Sequence, residues 1–262
     1  MLSPRAQHFL TTTARWTTPT SVHEIRRSPR AVDASGAQVD VPAGAVSAMT
    51  DFELAYGGLT YSLWNHDIAF GLDNDPTVYQ TPEGWSFVGG LDGAWANSID
   101  VLLDGRSGLT LPDAPLRILN RSIDQRLESD ALLATVSRWP HATWHIPAPR
   151  ATPPTLDETV PSALIVERAS SVSDTLPPFA PEASGPGDLW WYDETSAVHL
   201  TLHDWWTHPH DIWTVRALSK NLHTRNYLIA RLPYALPTHA FTATIWCLLC
   251  DHHTPPGTPC PA

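Results

Sequence analysis

The sequence predicts an α+β protein, with a mostly antiparallel sheet flanked by helices and a smaller Trp-rich β-meander region towards the C-terminus. Two helical apolar patterns, near residues 45–56 and 122–140, bracket four to six short strand-like segments. The links between these segments are too short for parallel crossover units, which predicts antiparallel pairing. An apolar share of 42% over 262 residues is enough to form a buried core.

The N-terminal part predicts one short helix over residues 4–16 and a loop over residues 26–44. A second helix follows over residues 45–56, because Val46, Met49 and Phe52 recur at helical spacing. Gly57-Gly58 then ends this helix, since glycine readily adopts the left-handed conformation found at helix C-termini.

Short apolar segments then predict strands at residues 59–64, 68–72 and 85–88. Residues 99–103 and 109–111 form a predicted hairpin around Asp104-Gly105, a turn dipeptide. Ser122 and Gln125 have the spacing of a capping box at the start of a helix. The apolar face of that helix runs to Pro140 through Ile123, Leu127, Ala131 and Val136.

The second half of the chain divides by composition. Residues 147–188 are Pro-rich and predict a linker, which leaves an α+β domain over residues 1–146. Residues 189–262 form a Trp- and His-rich β region of unknown role. Within it, residues 190–192, 198–202 and 212–216 predict a three-stranded meander. Residues beyond Pro233 remain unassigned.

Most of the negative charge is concentrated between residues 51 and 130, which hold thirteen acidic and four basic side chains. That segment contributes −9 to the chain's net charge of −11. A negative field attracts basic partners and repels nucleic acids and anionic membranes. We therefore predict a partner-binding surface from acidic and aromatic side chains of this segment: Glu53, Trp64, Asp67, Asp73, Asp75, Asp92, Trp95 and Asp104. Asp100 and Trp85 belong to the same set, and the alternative for all of them is a solvated acidic surface over buried tryptophans.

Three motifs occur in a distinctive order. They are Phe-Glu-x-x-Tyr-Gly-Gly-Leu at residues 52–59, Val-Leu-Leu-Asp-Gly at 101–105, and a closing helix at 118–136 that contains Leu-Glu-Ser-Asp-Ala-Leu. In this the chain resembles the SUKH superfamily of Smi/Knr-like proteins over about residues 45–140. Asp104 and Gly105 are adjacent here, whereas the family has residues between them, and the Trp-rich region has no counterpart in the family's single domain.

The resemblance implies a non-catalytic bacterial immunity protein that needs no cofactor and binds a polymorphic toxin through a groove on its sheet. The expected partner is a cognate toxin with a basic C-terminal domain, for example a nuclease. The chain has neither an apolar run of 18 residues nor a secretory signal pattern, and its three cysteines cluster late. We therefore expect a cytoplasmic protein that binds neither nucleic acid nor membrane. The sequence does not indicate an oligomeric state.

Two other functions stay open at this point. One is a metal-dependent hydrolase that uses the cluster of histidines and aspartates between His199 and Asp211. The other is a non-catalytic scaffold whose Trp-rich region docks a partner or a carbohydrate. Cys247 and Cys250, with Cys260 and two nearby histidines, also have zinc-like spacing, but the usual second pair is missing. No nucleotide-binding or nucleophile-elbow motif is present.

Overall fold

The structure is a computed structural model that describes residues 1–20, 22–63, 66–72, 76–93, 97–110, 116–147, 176–202, 212–235, 245–247 and 252–254. The chain divides into two compact units, Met1–Ala134 and Thr135–Ala262. Both are built on sheets, and the predicted α+β class is confirmed. In the described parts of the chain no helix combines the length and apolarity needed to cross a membrane.

The described residues contain five α-helices and sixteen strands. The helices are α1 (Pro4–Thr13), α2 (Val22–Arg27), α3 (Ala45–Tyr56), α4 (Ile123–Val136) and α5 (Leu222–Ala235). The first sheet contains β1 (Arg15–Trp16), β2 (Arg30–Val32), β3 (Gln38–Val39), β4 (Leu59–Leu63), β5 (His66–Phe70), β6 (Thr77–Thr81), β7 (Gly84–Asp92), β8 (Asn97–Leu102), β9 (Ser107–Thr110) and β10 (Arg117–Asn120). The second contains β11 (His141–Pro147), β12 (Asp188–Tyr192), β13 (Ser196–Thr201), β14 (Ile212–Ser219), β15 (Ile245–Cys247) and β16 (His252–Thr254).

Strand β7 organises the first sheet. Strands β6 and β5 pair with its two halves along one edge, and β8 pairs along the other edge, followed by β9 and β10. The β2–β6 pair is parallel and the remaining described pairs are antiparallel. The register shifts between Val88 and Gly90, where a side chain on Gly89 would come within 2.8 Å of the Phe52 ring. This bulge glycine lets α3 approach the sheet closely.

Three helices lie on the same face of the first sheet. Phe9 of α1 packs edge-on against Tyr61 at 5.2 Å between ring centroids, and Phe52 of α3 packs on Phe87 at 5.4 Å. Helix α4 joins this face through a hydrogen bond from the Tyr61 hydroxyl to Asp130. The core of the first unit therefore lies between these helices and the inward side chains of β4, β5, β7 and β8.

The second sheet has the order β12-β13-β14-β11-β15-β16 and its described pairs are antiparallel. The predicted meander corresponds to β12, β13 and β14. Its helix is α5, whose Leu228 and Leu232 pack with Trp191, Trp213 and other buried apolar side chains of the strands. This helix follows from the four-residue spacing of the two leucines and from Asn221, whose side chain caps Thr224.

Several boundaries differ from those the sequence suggests. Strand β11 pairs with β14 over seven residues, so it belongs to the second sheet, and the units divide after Ala134 rather than near residue 146. The segment 26–44, expected as a loop, contributes the end of α2 and the β2–β3 hairpin. Residues 176–187, expected as linker, hold a 3₁₀ turn at Pro181–Ala183 and hydrogen-bond to β12. Residues 148–175 lie outside the described residues.

The closing helix also begins later than the motif suggests. Residues 117–120 form β10, which pairs with β9, and α4 starts only after Ser122. The Ser122 hydroxyl accepts a hydrogen bond from the backbone amide of Gln125 at 3.2 Å. The Gln125 side chain in turn accepts from the Arg121 amide at 3.0 Å, one residue before the expected capping-box partner.

Candidate functional site

Side-chain alternation gives the first sheet a second face, opposite its helices. Tyr61, Ile68 and Ile99 are buried on the helix-covered face. Their immediate neighbours along the strands therefore point to the other face, which we call the open face. The paired residues Thr60, Ala69, Leu91, Ser98 and Thr110 form one row across five adjacent strands of the open face.

Leu91 lies in the middle of that row. Its side chain is 50% exposed, although it occupies the central strand β7 of a large sheet. The four neighbours in the row are small and partly exposed. A large exposed apolar side chain among small ones, in the middle of a sheet face, is suited to binding another protein.

Asp67 supplies negative charge on the same face. It is exposed, and its Oδ1 atom accepts a hydrogen bond from the Ser62 hydroxyl at 2.6 Å across the β4–β5 pair. No cation of the described residues pairs with this carboxylate. Asp67 is two residues before Ala69 on β5, so both side chains point to the open face. The charge of Asp67 therefore lies close to the row that contains Leu91.

Asp100 is a buried carboxyl group on the open face. It accepts a hydrogen bond from the Ser98 hydroxyl at 2.7 Å and is 6% exposed. Burial raises the pKa of Asp100 above its ordinary value, and hydrogen bonds from Ser98 and Thr110 oppose that rise. The residue therefore contributes less accessible charge than the sequence suggests.

Glu53 has a structural position. It is 2% exposed, and its two carboxylate oxygens accept hydrogen bonds from the backbone amides of Thr20, at 2.6 Å, and Leu72, at 2.8 Å. These bonds join α3 to two separate stretches of chain. The expectation that Glu53 faces a partner is corrected by its burial and by this pairing.

Asp92 is likewise internal. It is 6% exposed and forms an ion pair with Arg126 at 2.5 Å, while Arg126 also lies 3.7 Å from Asp130. Burial alone would lower the pKa of Arg126, but these two carboxylates raise it above its usual value. Burial raises the pKa of Tyr61, and the charge of Asp130 adds to that effect. The network fixes α4 to the sheet, so the expected partner-binding role of Asp92 is corrected too.

Asp104 lies away from Asp67, at the other end of β8. Its carboxylate accepts hydrogen bonds from the Arg106 side chain at 2.8 Å and from the Arg106 amide at 3.0 Å. This pairing neutralises its charge and shapes the β8–β9 turn. Trp85, on β7, is half-buried.

The remaining predicted residues, Trp64, Asp73, Asp75 and Trp95, lie outside the described residues. The connection that holds Trp64 follows Leu63, and the one that holds Trp95 follows Gly93. Leu63 pairs with His66, and Asp92 pairs with Ile68 and Asn97, so the described residues that flank these gaps lie at the same end of the sheet. Asp67 is on the strand that begins at that end.

His199, the first residue of the proposed metal cluster, is 3% exposed and stacks on Trp190 at 3.9 Å between ring centroids. Its Nε2 atom lies 2.5 Å from Asp188 and its Nδ1 atom 3.4 Å from Arg216. Arginine only donates, so Nδ1 accepts from Arg216, and Nε2 carries the ring proton and donates a hydrogen bond to the Asp188 carboxylate. Both ring nitrogens are therefore engaged, which leaves none for a metal.

Most of the other predicted metal ligands lie outside the described residues. Residues 203–211, Cys250 and Cys260 lie outside the described residues, while the backbone of Cys247 pairs with that of His252 in the β15–β16 hairpin. Within the part of the chain that the structure describes, no three histidine, cysteine or acidic side chains form a group suited to a metal ion.

Comparisons with protein-family profiles, with curated proteins and with solved structures found no match to this chain. The resemblance to the SUKH superfamily therefore stays a prediction from three motifs. Leu91 was missed by sequence reasoning, because Gly89, Gly90 and the bulge beside them obscure the alternation of β7. Its only signal in the sequence is an apolar residue between glycine and aspartate.

Proposed function

We propose that this chain is an immunity-type protein that binds a basic toxin domain over the open face of its first sheet and so masks the toxin's active site. The observation that carries the proposal is the exposure of Leu91 at the middle of that face. An exposed large apolar residue surrounded by small ones resembles the centre of a protein interface, where a few residues supply most of the binding free energy.

Charge supports a basic partner. The chain carries a net charge of −11, and Asp67 places an exposed carboxylate on the open face. Complementary charges accelerate association and discriminate against wrong partners. Asp73 and Asp75 follow β5 in the sequence, and their role in binding the partner stays a prediction from the sequence. The same charge disfavours nucleic acids and anionic membranes as partners.

The resemblance to immunity proteins supplies the biological role. Under this proposal the protein has no catalytic group of its own, needs no cofactor and acts in the cytoplasm of the cell that makes the toxin. It would inhibit by occupying the toxin surface at a one-to-one ratio. If the chain were instead a scaffold, its partner would carry no enzymatic activity for the chain to inhibit.

The proposal is tested by capturing partners from extracts of the source organism at low and high salt. We expect one basic protein at low salt, little of it at high salt, and inhibition of its activity that is complete at one equivalent of the purified chain. A captured protein that keeps its activity when bound would contradict masking. Stoichiometric zinc in the purified chain, with no partner captured, would contradict the proposal as a whole.

A further inference from the structure

Arg225, the fourth residue of α5, is a buried cation in the second unit. Its side chain is 2% exposed. The Nε and Nη2 atoms both donate to the side-chain oxygen of Asn226, at 3.3 and 3.1 Å. Among the residues that the structure describes, the buried Nη1 atom has no hydrogen-bond partner and no carboxylate pairs with the guanidinium group.

A buried guanidinium opposite a neutral amide is unfavourable. Removing a charge from water costs several kcal/mol unless an opposite charge compensates it. The planar fork of arginine matches the two oxygens of a phosphate or carboxylate group. Here the oxygen of an uncharged amide occupies that fork, so no described residue supplies the guanidinium with a counter-ion.

The surroundings of Arg225 add positive charge. The nearby His141 ring donates a hydrogen bond from its Nδ1 atom to the Trp139 carbonyl oxygen at 3.3 Å. Burial lowers the pKa of His141, the Trp139 carbonyl opposes this, and the charges of Arg216 and Arg225 lower it further. The positive charges that act on His141 favour an anionic ligand over a neutral one.

We propose that Arg225 anchors a binding site for a phosphate group, either free or as part of a small ligand. The phosphate oxygens replace the Asn226 amide oxygen in the guanidinium fork and pair with Nη1. Asn226 is exposed, so the group that must move lies at the protein surface. A residue that opposes stability in the empty protein is typical of a binding site.

The test uses the full-length protein and measures its melting temperature in inorganic phosphate against chloride at equal ionic strength. We expect phosphate to raise the melting temperature progressively with concentration, as a ligand of the folded state does. Arg225→Gln weakens phosphate binding by about tenfold or more, since it removes charge-assisted hydrogen bonds. Arg231→Gln, at an exposed arginine of the same helix that packs on Tyr227, keeps the wild-type response.

Asn226→Asp is a second variant, which tests the same site while keeping Arg225 in place. It supplies the missing carboxylate with no change in shape, so it raises the melting temperature in chloride and abolishes the response to phosphate. Equal responses of the wild type, Arg225→Gln and Asn226→Asp would identify an adventitious ion only and overturn the proposal. So would a wild-type protein that responds to phosphate no more than to chloride.

Discussion

Glu53 connects three stretches of the first unit through one buried carboxylate. Its hydrogen bonds to the amides of Thr20 and Leu72 hold the N-terminal segment and the end of β5 against α3. Glu53→Ala leaves both amides without an acceptor, so we expect the free energy of unfolding to fall by about 2 to 4 kcal/mol in urea denaturation. Asp51→Ala, at an exposed acid of the same helix, is expected to change it by less than about 0.5 kcal/mol. Equal losses in the two variants would contradict the structural role of Glu53.

Asp100 makes the stability of the first unit depend on pH. Its raised pKa means that the folded state binds the proton more tightly than the unfolded state. The stability that it contributes is therefore present in acid and is lost as pH rises from the ordinary carboxyl pKa of 3.8 through the raised one. We expect Asp100→Asn to be more stable than the wild type at pH 7, with the difference shrinking as pH falls. Melting curves over this range measure it, and a difference that does not change with pH would contradict the prediction.

At the scale of elements, the Gly57-Gly58 pair does more than end α3. Gly58 has a φ angle of +79°, and a side chain there would overlap the Thr17 carbonyl oxygen. Gly58→Ala is expected to lower the free energy of unfolding by about 3 kcal/mol, since it adds a backbone collision to the conformational cost. Gly105→Ala, at a φ of +92° with open space around it, isolates that conformational cost of about 1 kcal/mol. Similar losses in urea denaturation would show that the close approach to Thr17 is unimportant.

The sequence predicted a helix or strand correctly wherever one strong local pattern determined it. The helical spacing of apolar residues from Val46 to Phe52 predicted α3 with its observed limits. The turn dipeptide Asp104-Gly105 predicted the β8–β9 hairpin. Strand β10 was missed because the apolar residues Ile118 and Leu119 run on into the face of α4. Strand β11 was not predicted, and most of its residues were included in the first domain. Its partner, β14, is about seventy residues away in the sequence, and local composition carries no sign of that pairing.

For the whole molecule, charge counted along the sequence overstates charge at the surface. Of the thirteen acidic residues between positions 51 and 130, three lie outside the described residues and five form ion pairs within the first unit: Asp92, Asp104, Asp124, Glu128 and Asp130. A count cannot separate these paired carboxylates from one such as Asp67, with which no cation of the described residues pairs, because the difference depends on which residues are in contact in the fold. The candidate site therefore shrinks to the open face around Asp67 and Leu91.

The most direct test of the central claim is a matched pair of substitutions assayed against the captured partner. Leu91→Arg places a cation at the middle of the open face, and Leu54→Arg makes the same change at a leucine of α3 that is 72% exposed. Binding measured by calorimetry at low salt is expected to weaken by about thirtyfold or more in Leu91→Arg, as at an interface centre, and to stay unchanged in Leu54→Arg. Unchanged binding by a folded Leu91→Arg protein would contradict the assignment of the open face as the binding surface.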